Sequence, residues 1–167
     1  MVCRMVEDKR PMFAIDVIRM LFNLLPSGPA SKTHFIIAGD GPIIEAVKAH
    51  AASSIHHTDD IIVLGSIAEE QKLQLLSAAD VFFMPTLMEG LSISVAEAMC
   101  MSLPVGSDTR VGGLPELVTY STGFLVDLDP SNLNRDKNEF AEALCRFGSQ
   151  TPSGHGRRSS STREGHV

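Results

Sequence analysis

Residues 79–116 read ADVFFMPTLMEGLSISVAEAMCMSLPVGSDTRVGGLPE, and their order decides the fold. The run at 81–85 (VFFMP) is apolar without alternation, as in a parallel strand covered on both faces. A turn through Gly90 follows. Residues 91–101 are then almost all apolar, which predicts a deeply buried helix. A second short run lies at 103–106 (LPVG), and Gly112 with Gly113 makes another turn. Strand, turn, helix, strand, turn is the repeating unit of an α/β protein.

The same unit recurs outward from this stretch. Further apolar runs closed by turn signals sit at 34–38 (HFIIA), 61–65 (IIVLG) and 123–127 (GFLVD), and residues 1–5 read as the remnant of another strand. Helical patterns lie between them. Residues 11–25 begin at Pro11, favourable in a first helical turn, and stop before Pro26. Residues 43–56 carry Ile44, Val47, Ala51 and Ile55 at helical spacing. Ser66, Ile67, Ala68 and Glu69 form a capping-box pattern that opens a helix reaching about Ala79. Residues 137–147 give a last amphipathic helix. Regular alternation of this sort predicts a doubly wound parallel sheet.

Composition bounds the rest. A chain of 167 residues suits one domain with a tail, and 44% hydrophobic content is enough for a core. With 5% aromatic residues and no Trp, that core is expected to pack through aliphatic side chains. Residues 1–147 hold 11 basic and 19 acidic side chains, and an acidic body argues against nonspecific nucleic-acid binding. Residues 148–167 are rich in Ser, Gly and Thr and carry Arg157, Arg158 and Arg163, which predicts a disordered basic tail. Cys3, Cys100 and Cys145 are odd in number and widely spaced, as expected of reduced cytosolic thiols. No apolar run is long enough to span a membrane, and charge appears at once in Arg4, Glu7 and Asp8 where a signal peptide would be apolar. A cytoplasmic location is therefore expected, with the cytosolic face of a membrane as one setting.

Ligands of open α/β sheets bind beyond the carboxyl ends of the strands. That rim collects the loops at 39–42, 65–67, 86–92 and 107–113. The turn at Gly90 feeds the helix start, where unpaired amides and the helix dipole favour an anion. Glu89 and Glu97 flank it. On one helix, eight residues apart, they would stand about 12 Å from each other and point roughly 80° apart, too far for one ligand. With Glu89 on the loop and Glu97 two turns along the helix, both can face one pocket. Carboxylates accept hydrogen bonds from sugar hydroxyls. An anionic ligand bearing hydroxyls, such as a nucleotide sugar, fits. On spacing alone the pair could equally be surface charges, but Glu97 stands among Val95, Ala96, Ala98 and Met99, and needs a partner if buried.

Other candidates carry less. Arg4 and Lys9 share the rim and could neutralise a diphosphate, although by composition alone they read as solvated cations. Gly39, Asp40, Gly41 and Pro42 lack the third glycine of a dinucleotide fingerprint and read as a tight strand–helix turn. Gly112 and Gly113 either approach a ligand or simply turn the chain. His34, His50, His56 and His57 show no metal-ligand or nucleophile–base arrangement and read as surface or helix-end residues. No GxSxG elbow occurs.

In order along the chain, RMVEDKRP (4–11), FIIAGDGP (35–42), VLGSI (63–67), residues 77–107, GGLPELV (112–118) and TGFLVD (122–127) resemble the C-terminal, donor-binding domain of retaining glycosyltransferases of the GT-B fold, the glycosyl transferases group 1 or family 4. The resemblance covers about residues 3–147. It implies a Rossmann-like parallel sheet forming a single half of a GT-B fold, and transfer of a sugar from a UDP, GDP or similar donor with retention. It implies that Arg4 and Lys9 hold the donor diphosphate and that Glu89 binds donor-sugar hydroxyls. It places amides of Gly90, Leu91, Ser92 and Ile93 on the phosphates, Glu97 on the ribose, and Leu64, Gly65, Ser66 and Ile67 near the base. No cofactor and no metal are implied; the partner is an N-terminal acceptor-binding domain, in cis or on another chain. Cys3 and Ser102 each stand where glycine is usual. Two other readings remain open, a non-catalytic nucleotide-sugar-binding or regulatory module and another GT-B-like enzyme such as an epimerase.

Overall fold

A computed structural model describes residues 1–25, 33–53, 58–90, 92–109, 111–129 and 131–150. Five strands alternate with six helices: α1 (Pro11–Leu24), β1 (Phe35–Ala38), α2 (Ile44–Ala52), β2 (Ile61–Gly65), α3 (Glu69–Ala78), β3 (Phe82–Phe83), α4 (Ile93–Cys100), β4 (Val105–Asp108), α5 (Leu114–Leu117), β5 (Gly123–Val126) and α6 (Leu133–Gln150). Every strand pair is parallel. The strands expected in a single sheet fall into two hydrogen-bonded groups, β1–β2 and β3–β4–β5. Residues 1–5 run beside β1: Ala38 donates to the Met1 carbonyl (3.0 Å), Cys3 to Ala38 (3.1 Å) and Met5 to Asp40 (2.9 Å). They form one parallel bridge, Val2 to Ala38, rather than a full strand.

Several boundaries differ from the sequence expectation. Ser66 does not cap α3. Ala68 is the extended residue before the helix, and its N–H is taken by the Gln71 side chain at 2.9 Å. This one-sided contact, with no acceptor on the alanine side chain to return it, starts the helix at Glu69 and leaves Ser66 on the loop. The helix predicted at 137–147 runs from Leu133 through Gln150, past the expected domain boundary at 147. Its start is fixed by the buried Asp136, whose Oδ2 accepts from the Asp129 N–H at 2.8 Å. Ile55, His56, His57 and Leu91 lie outside the described residues, as does residue 151 onward of the predicted tail.

The core is less aliphatic than composition implies. Phe140 is fully buried, with ring centroids 5.2 Å from Phe83, 6.1 Å from Phe13 and 6.5 Å from Phe124 in edge-on contacts. Few aromatics are present, but they converge from α1, β3, β5 and α6 on one point. Around them pack Ile15, Ile37, Val105 and Leu114.

A charged network ties α1, α2 and α6 together at their surface. Asp16 accepts from Lys137 Nζ (2.7 Å), is paired with His50 Nε2 (2.8 Å) and meets Arg19 Nη1 (3.4 Å). His50 is thus a helix-end residue, as its place near the end of α2 predicts. Burial pushes the Asp16 carboxyl up, but the hydrogen bonds from Lys137 and His50 outweigh it and hold the group below the usual carboxylate range. A depressed folded value means that stability is present above the unfolded value of about 3.9 and is lost as pH falls through the folded one. Wild-type melting temperature should therefore exceed that of Asp16→Asn at pH 6, with the gap closing as pH falls below the ordinary carboxylate range. A gap independent of pH would show that the carboxylate charge is not what stabilises.

Candidate functional site

The carboxyl ends of the strands open on a cavity of about 520 Å³. Val2, Cys3, Arg4 and Lys9 from the N-terminal segment form one wall. Gly39 and Asp40 after β1, with Ser66 and Ile67 after β2, form a second. Lys72 of α3, Glu89 on the loop after β3, and Ser92, Ile93, Ser94 and Glu97 at the start of α4 complete it. The volume lies within the usual range for small-molecule sites, roughly 300–1,000 Å³.

The turn after β1 sets the floor. Gly39 has φ +131°, and a Cβ there would lie 1.8 Å from the Cys3 carbonyl oxygen. Its N–H donates to Gly65 at 2.7 Å. Only glycine lets the turn pass between residue 3 and the end of β2, so the Gly39–Asp40 sequence is a structural turn, as its missing third glycine predicts. Burial pushes the Cys3 thiol up to about 11, so it remains a protonated thiol at neutral pH.

Glu89 is on a loop and Glu97 on α4, as the spacing argument requires. The Glu89 loop is fastened from three sides. Thr86, fully buried, donates its hydroxyl within 3.1 Å of the Asp8 and Met88 carbonyls. The Leu87 N–H also donates to Asp8, at 2.7 Å. Lys9 donates to the Met88 carbonyl at 3.3 Å and pairs with Glu89 Oε1. From the far side, Gly112 at φ +46° lies so close that a Cβ would meet the Glu89 carbonyl oxygen at 1.8 Å, and Gly113 donates to Gly90 at 3.2 Å. The second glycine turn therefore braces the Glu89 loop and is not itself on the cavity lining.

The start of α4 is capped by Ser92, buried, whose hydroxyl accepts weakly from the Val95 N–H at 3.5 Å. The helix is not deeply buried: only Val95 and Ala98 are, and Ile93 is 72% exposed. One stripe faces β4, and the opposite side is cavity wall and open rim. Leu64 near the end of β2, and Leu87 and Met88 on the loop after β3, are exposed as well.

Of the sequence-predicted residues, the cavity brings together Arg4, Lys9, Ser66, Ile67, Glu89, Ser92, Ile93 and Glu97. Leu64, Gly65 and Gly90 are off its lining, and Leu91 is outside the described residues. Gly65 is occupied as the acceptor from Gly39, while a Cβ at Gly90 would meet nothing within 4 Å. Sequence reasoning missed Lys72. Its ammonium lies 2.7 Å from Glu97 Oε1 and 2.8 Å from Glu69 Oε1, and hydrogen bonds to Glu69 and Glu97 raise its pKa above the ordinary lysine value. Glu97 thus has the partner that its apolar neighbours demanded. The i,i+3 spacing of Glu69 and Lys72 was a readable signal; the contact across 25 positions was not. Among the described residues no His, Cys, Asp and Glu side chains converge as a metal site, and no helix is long and apolar enough to cross a membrane.

Chemically, the cavity offers cations at Arg4 and Lys9, carboxylate acceptors at Glu89 and at Glu97 with its Lys72 partner, and amides at a helix start. That set suits a ligand with both phosphates and hydroxyls. Comparison with known proteins points the same way. Residues 1–149 match the family model described as glycosyl transferases group 1. A UDP-Gal:α-D-GlcNAc-diphosphoundecaprenol α-1,3-galactosyltransferase of Escherichia coli is 26% identical over 148 residues, 87% of this chain and 35% of that protein. The α-maltose-1-phosphate synthase of Mycobacterium tuberculosis is 34% identical over 110 residues, 65% of this chain and 27% of that one. The chain thus spans between about a quarter and a third of the length of these curated relatives. Among solved structures, the pneumococcal O-GlcNAc transferase GtfA in complex with UDP and GlcNAc superposes with a TM-score of 0.70, covering 89% of this chain and 28% of that one at 19% identity, a likeness of fold.

Proposed function

We propose, since the chain belongs to the glycosyl transferases group 1 family, that it is the donor-binding half of a GT-B glycosyltransferase and that its cavity takes a nucleotide diphosphate sugar. The observation that carries this is the meeting of two lysine–glutamate pairs, Lys9–Glu89 and Lys72–Glu97, with Arg4 in one cavity at the carboxyl rim. In this reading Arg4 and Lys9 hold the diphosphate, Arg4 by forked donation and Lys9 as a point charge. Arg4 is exposed and makes no ion pair among the described residues, so it is open to an anion. Amides at the start of α4 add to the same field.

Glu89 accepts from hydroxyls of the donor sugar and Glu97 from the ribose. As the glycosidic bond to phosphate breaks, negative charge grows on the leaving diphosphate. Cations and helix amides already aimed at it stabilise that charge without reorganising. Retention of configuration and a metal-free reaction belong to this reading.

The reaction needs an acceptor side, which we assign to a second domain, in cis or on another chain. The exposed Ile93 on the cavity lining and Leu87 and Met88 on the loop that carries Glu89 support a covering partner there. The chain by itself then binds donor and turns over poorly.

Titration calorimetry with UDP, GDP, ADP and their sugar conjugates tests the reading. One base series should bind, and Glu97→Ala should weaken it about tenfold, the worth of a hydrogen bond to a charged group. Folded protein that binds none of them at millimolar concentration would sink the assignment.

A further inference from the structure

We propose that Lys72 is a positioning residue of this site: by holding one oxygen of Glu97 it fixes the carboxylate as an acceptor for vicinal ribose hydroxyls. The inference rests on the donor-site reading above and deepens it.

Glu97 is half-buried, with Val95 and Ala98 of its own helix turned into the core. Its side chain has three torsions to freeze before a ligand hydroxyl can find it, and ordering them in advance lowers the cost of binding. Lys72 is its sole hydrogen-bond partner among the described residues, at 2.7 Å on Oε1. That leaves Oε2 for the ligand. Lys72 is itself steadied, since Glu69 one turn back on α3 takes the same ammonium at 2.8 Å.

The apolar surface of α3 cannot do this job. Leu76 alone is buried on that helix. The helix meets the α4 region through polar contacts, the Lys72–Glu97 pair and a 3.9 Å approach of Ser77 Oγ to Met101 Sδ. Yet α3 is also the helix that the Ser66–Ile67 loop feeds, through Ala68 held by Gln71. One lysine therefore sets the spacing between the loop wall and the carboxylate wall. A ligand whose base lies near the first and whose ribose lies near the second would sense that spacing.

The test is calorimetry of wild type, Lys72→Met and Lys72→Arg with three probes. These are the nucleoside diphosphate that wild type binds best, its 2′,3′-dideoxy counterpart, and inorganic pyrophosphate. Wild type should prefer the ribonucleotide over the dideoxy form by about tenfold. Lys72→Met should lose that preference by weakening the ribonucleotide about tenfold, with pyrophosphate unchanged, while Lys72→Arg keeps most of it. The proposal is overturned if Lys72→Met retains the preference, if it weakens all three probes alike, or if wild type ignores the ribose hydroxyls. Wild type that binds no nucleotide removes the donor site itself. A preference that survives in Lys72→Met removes only the role of Lys72.

Discussion

Phe140→Ala should destabilise the chain by about 3–5 kcal/mol, the range for deleting a large aromatic from a packed core. The residue is fully buried, and its ring contacts come from three other elements. Removing it takes away transfer energy and leaves a void that α1, β3 and β5 cannot close without moving together. Edge-on aromatic pairs add about 0.5–1.5 kcal/mol beyond area burial, and three of them meet here. Against a total stability of about 5–15 kcal/mol this is a large fraction. Urea denaturation followed by circular dichroism measures it. Phe140→Leu, which keeps much of the volume, should cost clearly less. A Phe140→Ala loss under about 1 kcal/mol would mean that the cluster is not the centre of the core.

The second large effect is expected on ligand binding. Gly112→Ala places a methyl where the Glu89 carbonyl oxygen is, 1.8 Å away, at a φ of +46° that disfavours any side chain. Left-handed backbone alone costs about 1–2 kcal/mol. The overlap is with backbone, which cannot swing aside as a side-chain tip does, so the loop carrying Glu89 has to move. Displacements of about 1 Å in a positioning group can cost a hundredfold in rate. Binding of the best nucleotide sugar should fall at least tenfold, out of proportion to the change in melting temperature. Gly90→Ala is the contrast. A methyl there meets nothing within 4 Å, so the fold should not change, and any loss of binding reports the ligand's own approach to that backbone. Wild-type affinity in Gly112→Ala would show that the brace does not position Glu89.

These two residues mark where sequence stops being informative. The strands were readable because continuous apolar runs have one common explanation, a two-sided parallel sheet. The separate elements for Glu89 and Glu97 followed from helix geometry alone. The seat of Gly112 against Glu89 did not, because it depends on a contact between two loops 23 positions apart. The phenylalanine cluster was hidden in the same way: a low aromatic count says nothing about convergence. Ser66 looked like a cap because it has the right side chain at the right offset, but Gln71 made the competing contact to Ala68 instead. The burial of α4 was overestimated because an apolar stripe and an apolar rim are indistinguishable by composition. Ile93 belongs to the rim.

The backbone at position 102 would favour glycine. Ser102 sits at φ +61°, just past α4, where its N–H donates to Met99 at 2.9 Å and the next residue donates to Ala98 at 3.0 Å. The helix ends in a left-handed residue, and serine occupies it at a cost that glycine would avoid.

The sparse packing of α3 has a consequence for how the cavity breathes. A helix with one buried residue sits low in the hierarchy of local stability and can open while the core stays closed. What holds it over Glu97 is the buried Leu76 and the Lys72–Glu97 pair, whose 2.7 Å separation lies well inside the screening length of about 10 Å at 0.1 M salt. That wall of the site therefore hangs on one leucine and one short ion pair, and loss of either loosens it while the rest of the fold stays closed.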